Sequence, residues 1–264
     1  MNAMPFANDA GSPVRPMTRR RLLAAYVQEI GCECRRYLRS PSFLLPTLLF
    51  PALFYTLFAV VLGARNSPEA PRFLLATYAT FGVMAPGLFG FGMSLALERD
   101  NGLLTLKRAL PMPPAAYLLG KMVMAMLMAA LIAALLMTLA LTLGGVTLSW
   151  PRMLWLGAVC IGGALPFCAL GLLLGTLVKG HGAPALVNLL YLPMAFLSGL
   201  WFPLSMLPPL IGRLAPVWPS HHLNQLAQAA VGFDSGTPWP HVLWLALFTV
   251  LVTALASWRL RRHG

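Results

Sequence analysis

Apolar positions in this chain come in long blocks rather than in alternation. Six blocks stand out: Phe43–Gly63, Phe73–Leu97, Tyr117–Leu143, Met153–Val178, Ala183–Phe202 and Trp239–Trp258. Each is near or above the ~20 residues that an α-helix needs to cross ~30 Å of hydrocarbon. None shows the polar–apolar alternation of a barrel strand. The pattern predicts an all-α integral membrane protein with six transmembrane helices over residues 41–258. Ahead of them, Leu22, Leu23, Tyr26, Ile30, Cys34, Tyr37 and Leu38 recur at helical spacing, while Glu29, Glu33 and many bases fill the other faces. With Arg20, Arg21, Arg35 and Arg36 beside one apolar stripe, Arg19–Arg39 reads as an amphipathic helix lying in the membrane interface. Ser40-Pro41 then turns the chain into the bilayer, which closes an interfacial segment at residues 19–40. Residues 1–18 read as a disordered terminus, and 259–264 as a short tail. No signal-peptide pattern is present.

Residues 203–238 fit neither class. Pro203, Pro208, Pro209, Pro216 and Pro219 are interspersed with Leu, Ile, Trp and Ala. That is too apolar for a solvated loop and too broken for a span. A re-entrant or interfacial helical segment, buried where other helices satisfy its irregular backbone, is expected before the last crossing.

Composition agrees with the blocks. The 264 residues are 58% hydrophobic and 10% charged, where soluble domains carry about 25% charge. A net charge of +12 would point to nucleic acid in a soluble protein, but here the bases flank spans and pair with anionic membrane lipid instead. With the N-terminus inside, fifteen Lys and Arg fall on the inner side and four (Arg65, Arg72, Arg152 and Arg213) on the outer. The positive-inside rule therefore predicts both termini cytoplasmic.

The chemistry that is missing narrows function further. Lys121 is the one charged residue within the predicted spans, and it is expected to snorkel to the interface from the end of the third. Proton-coupled carriers normally keep an ionisable residue at depth. A P-loop needs G-x-x-x-x-G-K-[ST], and Gly120-Lys121-Met122 lacks the upstream glycine and the hydroxyl. The chain has no nucleotide site of its own. Adjacent histidines such as His221-His222 point about 100° apart on a helix and make poor co-ligands, so no metal is expected. Cys32, Cys34, Cys160 and Cys168 read as small apolar filler. Gly171-x-x-x-Gly175 is a candidate helix-packing face.

The densest polar interruption is Glu98-Arg99-Asp100-Asn101-Gly102 and the stretch to Pro114, with Lys107, Arg108, Pro111, Pro113 and Pro114. Asp100 or Asn101 is placed to cap a short helix from Gly102 to about Leu110. Leu103, Leu104, Leu106, Ala109 and Leu110 give that helix an apolar side. A short, framed helix of this kind suits docking into a groove of a soluble partner.

At these residues the chain resembles the membrane subunits of type-2 ABC exporters, which include bacterial drug, lipid and polysaccharide export permeases. The likeness runs from Arg19 to Arg262. It is most specific at Glu98-Arg99-x-x-Gly102, Pro111, Pro113 and Gly120-Lys121, with Leu103 where the family usually has threonine. A second likeness lies in Ser198-Gly199-x-x-Phe202-Pro203 with Pro208, His222 and Gly232. The resemblance implies that Glu98–Leu110 is a coupling helix seated on an ATP-binding subunit, through Glu98, Arg99, Asp100, Gly102, Leu103, Lys107 and Arg108. It implies a connecting helix at Arg19–Arg39 and a shorter contact at Lys179-Gly180-His181. It further implies that Ser198, Gly199, Pro203, Pro208 and His222 mark the outward re-entrant segment. Two copies, in a bacterial inner membrane, would form the pathway for an amphipathic or lipid-like cargo, moved outward. ATP and Mg²⁺ would sit on the partner, leaving this chain a non-enzymatic transport subunit. An ATP-independent secondary carrier or a membrane scaffold is the alternative, and an obligate ATPase partner separates the readings.

Overall fold

The computed structural model describes residues 18–63, 67–103, 106–107, 113–233 and 236–263, and every regular element among them is helical. They are α1 (Arg19–Leu38), α2 (Pro41–Tyr55, continued by π-helical turns Thr56–Leu62), α3 (Ala70–Ala85), α4 (Ser94–Asp100), α5 (Pro114–Thr142), α6 (Trp150–Leu177), α7 (Ala183–Leu197), α8 (Pro209–Leu214), α9 (Pro219–Val231) and α10 (Trp239–His263). Proline stands in the first two positions of most of these helices, where its missing N–H has no partner to lose.

Among the described residues, five helical stretches are long and apolar enough to cross a bilayer: Pro41–Leu62, Ala70–Asp100, Ala115–Thr142, Trp150–Leu177 and Trp239–Leu260. The fifth apolar block behaves differently. Its helix, α7, has 15 residues and ends at Leu197, because Gly199 turns the chain there with φ +78°. At 1.5 Å per residue it spans about 22 Å, short of the ~30 Å hydrocarbon core.

Ala70–Asp100 forms the centre of the bundle. Of its apolar window 78% is buried, against 17% for Pro41–Leu62 and 11% for Trp239–Leu260. Pro86 cannot donate to the helix ladder, and the segment Pro86–Met93 that follows is wound as a π-helix before α4 resumes. The wide turns carry Gly87, Gly90 and Gly92, and they lie directly on α6. A Cβ added to Gly171 would sit 2.4 Å from the Gly87 carbonyl oxygen, and one on Gly175 would sit 2.8 Å from that of Gly92. The small-residue pair in α6 is therefore a packing face, as its spacing predicted. Cys160 and Cys168 are buried on the same helix with free thiols.

Residues 203–233 fold into 3₁₀ turns and the helices α8 and α9. α9 is packed between α3, α6 and α10. Leu223 fills the space above Gly163, halfway along α6. At its other end Gly232 takes the left-handed conformation that closes a helix, with φ +94°. Arg72 of α3 donates to the freed Val231 carbonyl at 2.5 Å.

Candidate functional site

Three helix faces converge at the end of the bundle that carries α1, and each is written in steps of four residues. α1 contributes Glu29, Glu33 and Tyr37, α4 contributes Ser94 and Glu98, and α5 contributes Tyr117 and Lys121. Residues four apart share one helix face, so each helix presents a polar stripe rather than an isolated group. Gly120 lets α1 lie close against α5, since a Cβ there would come within 3.3 Å of the Glu29 side chain.

Lys121 is at the centre and has no solvent exposure. Its ammonium donates to Glu98 Oε1 at 3.0 Å, Ser94 Oγ at 2.8 Å and Glu33 Oε2 at 3.5 Å. The second carboxylate oxygen of Glu98 accepts from the Tyr117 hydroxyl at 2.7 Å. Arg36 closes on Glu98 Oε1 from the outer side. Lys107 reaches back to Glu29 Oε1 at 2.5 Å and to Glu33 Oε1 at 3.3 Å. Tyr37 donates to the Gly90 carbonyl, which ties α1 to the π-helical turns. Three carboxylates (Glu29, Glu33 and Glu98) thus meet three cations (Arg36, Lys107 and Lys121) in a charge-balanced cluster.

Balance is what makes such burial tolerable, because an unpaired charge there would be strongly destabilising. Burial alone would lower the Lys107 ammonium pKa. Its bond to Glu29 and the charges of Glu33, Glu29 and Glu98 outweigh this and hold it above its ordinary value. Burial pushes the Tyr37 hydroxyl up to about 12.

Several expectations change here. Lys121 does not snorkel outward; its stem follows the bundle interior because Glu98 and Glu33 offer a closer counter-charge than the interface does. On α1, Glu33 and Tyr37 are buried, while Leu22, Leu23 and Leu38 remain exposed. The acids that the sequence put on the faces beside the apolar stripe point inward, to Lys107 and Lys121. Glu98, Arg99 and Asp100 form the last turn of a helix rather than a loop. Asp100 reaches across to the turn after α6, where its Oδ2 accepts from the Gly180 N–H at 2.6 Å. Gly102, with φ +71°, ends α4 in the left-handed conformation, with its N–H donating to the Arg99 carbonyl. Of the expected Gly102–Leu110 helix, Leu103, Leu106 and Lys107 are described, and Leu104, Arg108, Ala109 and Leu110 lie outside the described residues.

Arg99 and Asp100 face the other way, toward the end of α6. The Arg99 guanidinium donates to the Thr176 and Val178 carbonyls at 3.1 and 3.0 Å, taking up groups left free where the helix stops. With the Asp100–Gly180 bond this fastens α4 to the turn that bears Lys179 and His181. Lys179 itself is exposed. Arg20 and Arg21 are exposed on α1, and Arg35 bonds only the Gly31 carbonyl of its own helix, at 3.0 Å. At the opposite end of the bundle, Ser198 bonds Ser220 at 2.5 Å. His222 lies 2.8 Å from both the Pro216 carbonyl and His241 Nδ1. Pro203 and Pro208 flank 3₁₀ turns there without joining a polar cluster.

The sequence reading missed Glu29, Glu33, Tyr37, Ser94 and Tyr117. The signal was available: each stands four residues from another polar group on a helix otherwise apolar on that side. Chemically the cluster is closed. Every carboxylate in it is engaged by a cation, which leaves no free base or nucleophile, and what the arrangement does is lock four segments together.

Residues 30–232 match the family model described as ABC-2 type transporter. A protein of Bacillus subtilis (strain 168) named "Putative transport permease YvfS" is 28% identical over 234 residues, which cover 88% of this chain and 95% of that protein. Nodulation protein J of Sinorhizobium fredii (strain NBRC 101917 / NGR234) is 29% identical over 117 residues, 44% of this chain and 45% of that protein.

Proposed function

The chain belongs to the ABC-2 type transporter family, a multi-pass membrane transport permease by that membership, and on this premise we propose that it is the permease subunit of an ATP-driven exporter. Two copies would form the path for an amphipathic or lipid-like cargo moved outward. A separate cytoplasmic ATPase subunit, with ATP and Mg²⁺ bound to it, would supply the work.

One observation carries the reading. The segments expected to meet the ATPase, around Glu98–Lys107 and Lys179–His181, are joined through Asp100 and Arg99 and tied to α1 and α5 through the Glu98–Lys121 cluster. A load applied at Leu106 or Lys179, both exposed, enters a braced frame. In this reading α1 is the connecting helix on the inner membrane face, α7 with residues 198–202 completes a sixth crossing, and 203–238 is the outward re-entrant segment.

A proton-coupled carrier is the second reading, favoured by the ionisable cluster among the spans. All six of its charges are paired, however, which suits a brace better than a proton relay.

The test is co-purification of the tagged chain with ATP-binding subunits from the same cell. Glu98 is a poor probe because it is buried. The double variant Leu106→Glu/Lys179→Glu alters only exposed side chains. It is expected to insert normally and lose the ATPase partner. No partner with either version overturns the exporter reading.

A further inference from the structure

A second polar centre sits at the far end of the bundle from the ion pairs. Thr77, Thr80, Ser198, Ser220, His221, His222, Asn224 and Gln228 are all buried there. Within it, His221, Asn224 and Gln228 are exposed by only 9, 7 and 5%, and they stand at i, i+3 and i+7 on α9, which places them on one face. His221 Nδ1, Asn224 Oδ1 and Gln228 Oε1 all lack a hydrogen-bond partner among the described residues. Buried polar atoms are almost always paired, so three orphans in one row call for an explanation.

The chemistry of the orphans defines what they would take. Gln228 Nε2 donates to the Phe73 carbonyl at 3.1 Å and to Thr77 Oγ1 at 3.0 Å, which fixes the amide orientation and leaves its oxygen as the free group. The two amide oxygens want donors, and the imidazole nitrogen takes either a donor or an acceptor according to its tautomer. Among the described residues no carboxylate forms an ion pair on the row, so a bound cation would bury an uncompensated charge, while an anion would offer the amide oxygens no donor. Arg72, which donates to the Val231 carbonyl, and Arg152 lie at Gly232, a turn beyond Gln228. We propose that this face of α9, packed against α3, is a binding site for a neutral ligand bearing hydroxyl groups. Seven residues of helix separate the first orphan from the last, a rise of about 10 Å, so a ligand that meets all three carries its hydroxyls spaced along that length.

The site is tested on the full chain in lipid nanodiscs, without any ATPase, by photolabelling with a diazirine-bearing octyl glucoside. Labelling should map to α3 and α9, and unlabelled octyl glucoside should displace it while octyl trimethylammonium should not. Asn224→Leu should label about tenfold more weakly, the scale of one lost hydrogen bond to a buried group, with an unchanged or higher melting temperature. If that variant does not insert, His221→Leu carries the same test. Equal labelling of variant and wild type, or label confined to outward-facing helix surfaces, overturns the proposal. So does a marked drop in melting temperature for both variants, which would make the row structural. Because no ATPase enters the measurement, its outcome is independent of the exporter reading.

Discussion

Lys121 and Glu98 are held 3.0 Å apart inside the bundle, with Lys121 fully buried and Glu98 nearly so. A pair of this kind is weak evidence for net stability, since desolvation offsets much of the attraction, but breaking it from one side is severe. Lys121→Met should destabilise the protein by about 3–5 kcal/mol, because Glu98 and Glu33 would lose their buried counter-charge. Combining it with Glu98→Gln should cost less than the two single changes added together. Thermal unfolding of the four proteins in one detergent measures that coupling.

Tyr117 tests a weaker part of the same cluster. Tyr117→Phe removes the donor to Glu98 Oε2 without changing shape. A hydrogen bond to a charged group contributes about 1.5–3 kcal/mol, and the variant should lose stability on that scale while still inserting. No loss on unfolding would mean that Arg36 and Lys121 satisfy Glu98 by themselves.

Two glycines of α6 should respond in opposite directions. Gly171→Ala would place its methyl 2.4 Å from the Gly87 oxygen, a backbone atom that cannot step aside. Overpacking of this kind costs about 1–3 kcal/mol. Gly162→Ala meets nothing within 4 Å and should gain about 0.5–1 kcal/mol from helix propensity. Melting temperatures of the two variants, one falling and one rising, check the seam.

At Gly102 the constraint is conformational alone. Nothing lies within 4 Å of an added Cβ, but φ is +71°. Gly102→Ala should cost about 1–2 kcal/mol, and Gly102→Asn distinctly less, because asparagine tolerates the left-handed region. Equal melting temperatures for the two would show that the end of α4 relaxes to another turn.

Much of this architecture could be read from the chain before any coordinates. Five of the six apolar blocks fall on helices long and apolar enough to cross a bilayer, Gly171 and Gly175 mark a contact between two of them, and the prolines from Pro203 to Pro219 fall among short helices and turns. The errors share a physical cause. Periodicity reports which residues lie on one face, not which way that face turns. Glu29 and Glu33 were therefore placed only on the faces beside the apolar stripe, and Lys121 at the interface, whereas Glu33 pairs with Lys121 and both acids pair with Lys107. The length of α7 was hidden for a different reason. Residues 198–202 are as apolar as a helix interior, and only the left-handed turn at Gly199 removes them from it.

The seam between the π-helical turns and α6 has a mechanical consequence. Where Gly87, Gly92, Gly171 and Gly175 meet, the contact is made by main-chain atoms, which have no rotamers to rearrange. Arg99 and Asp100 fasten the same two segments at the α4 end. A side chain introduced at Gly171 must therefore shift the backbone of Ala70–Asp100 itself.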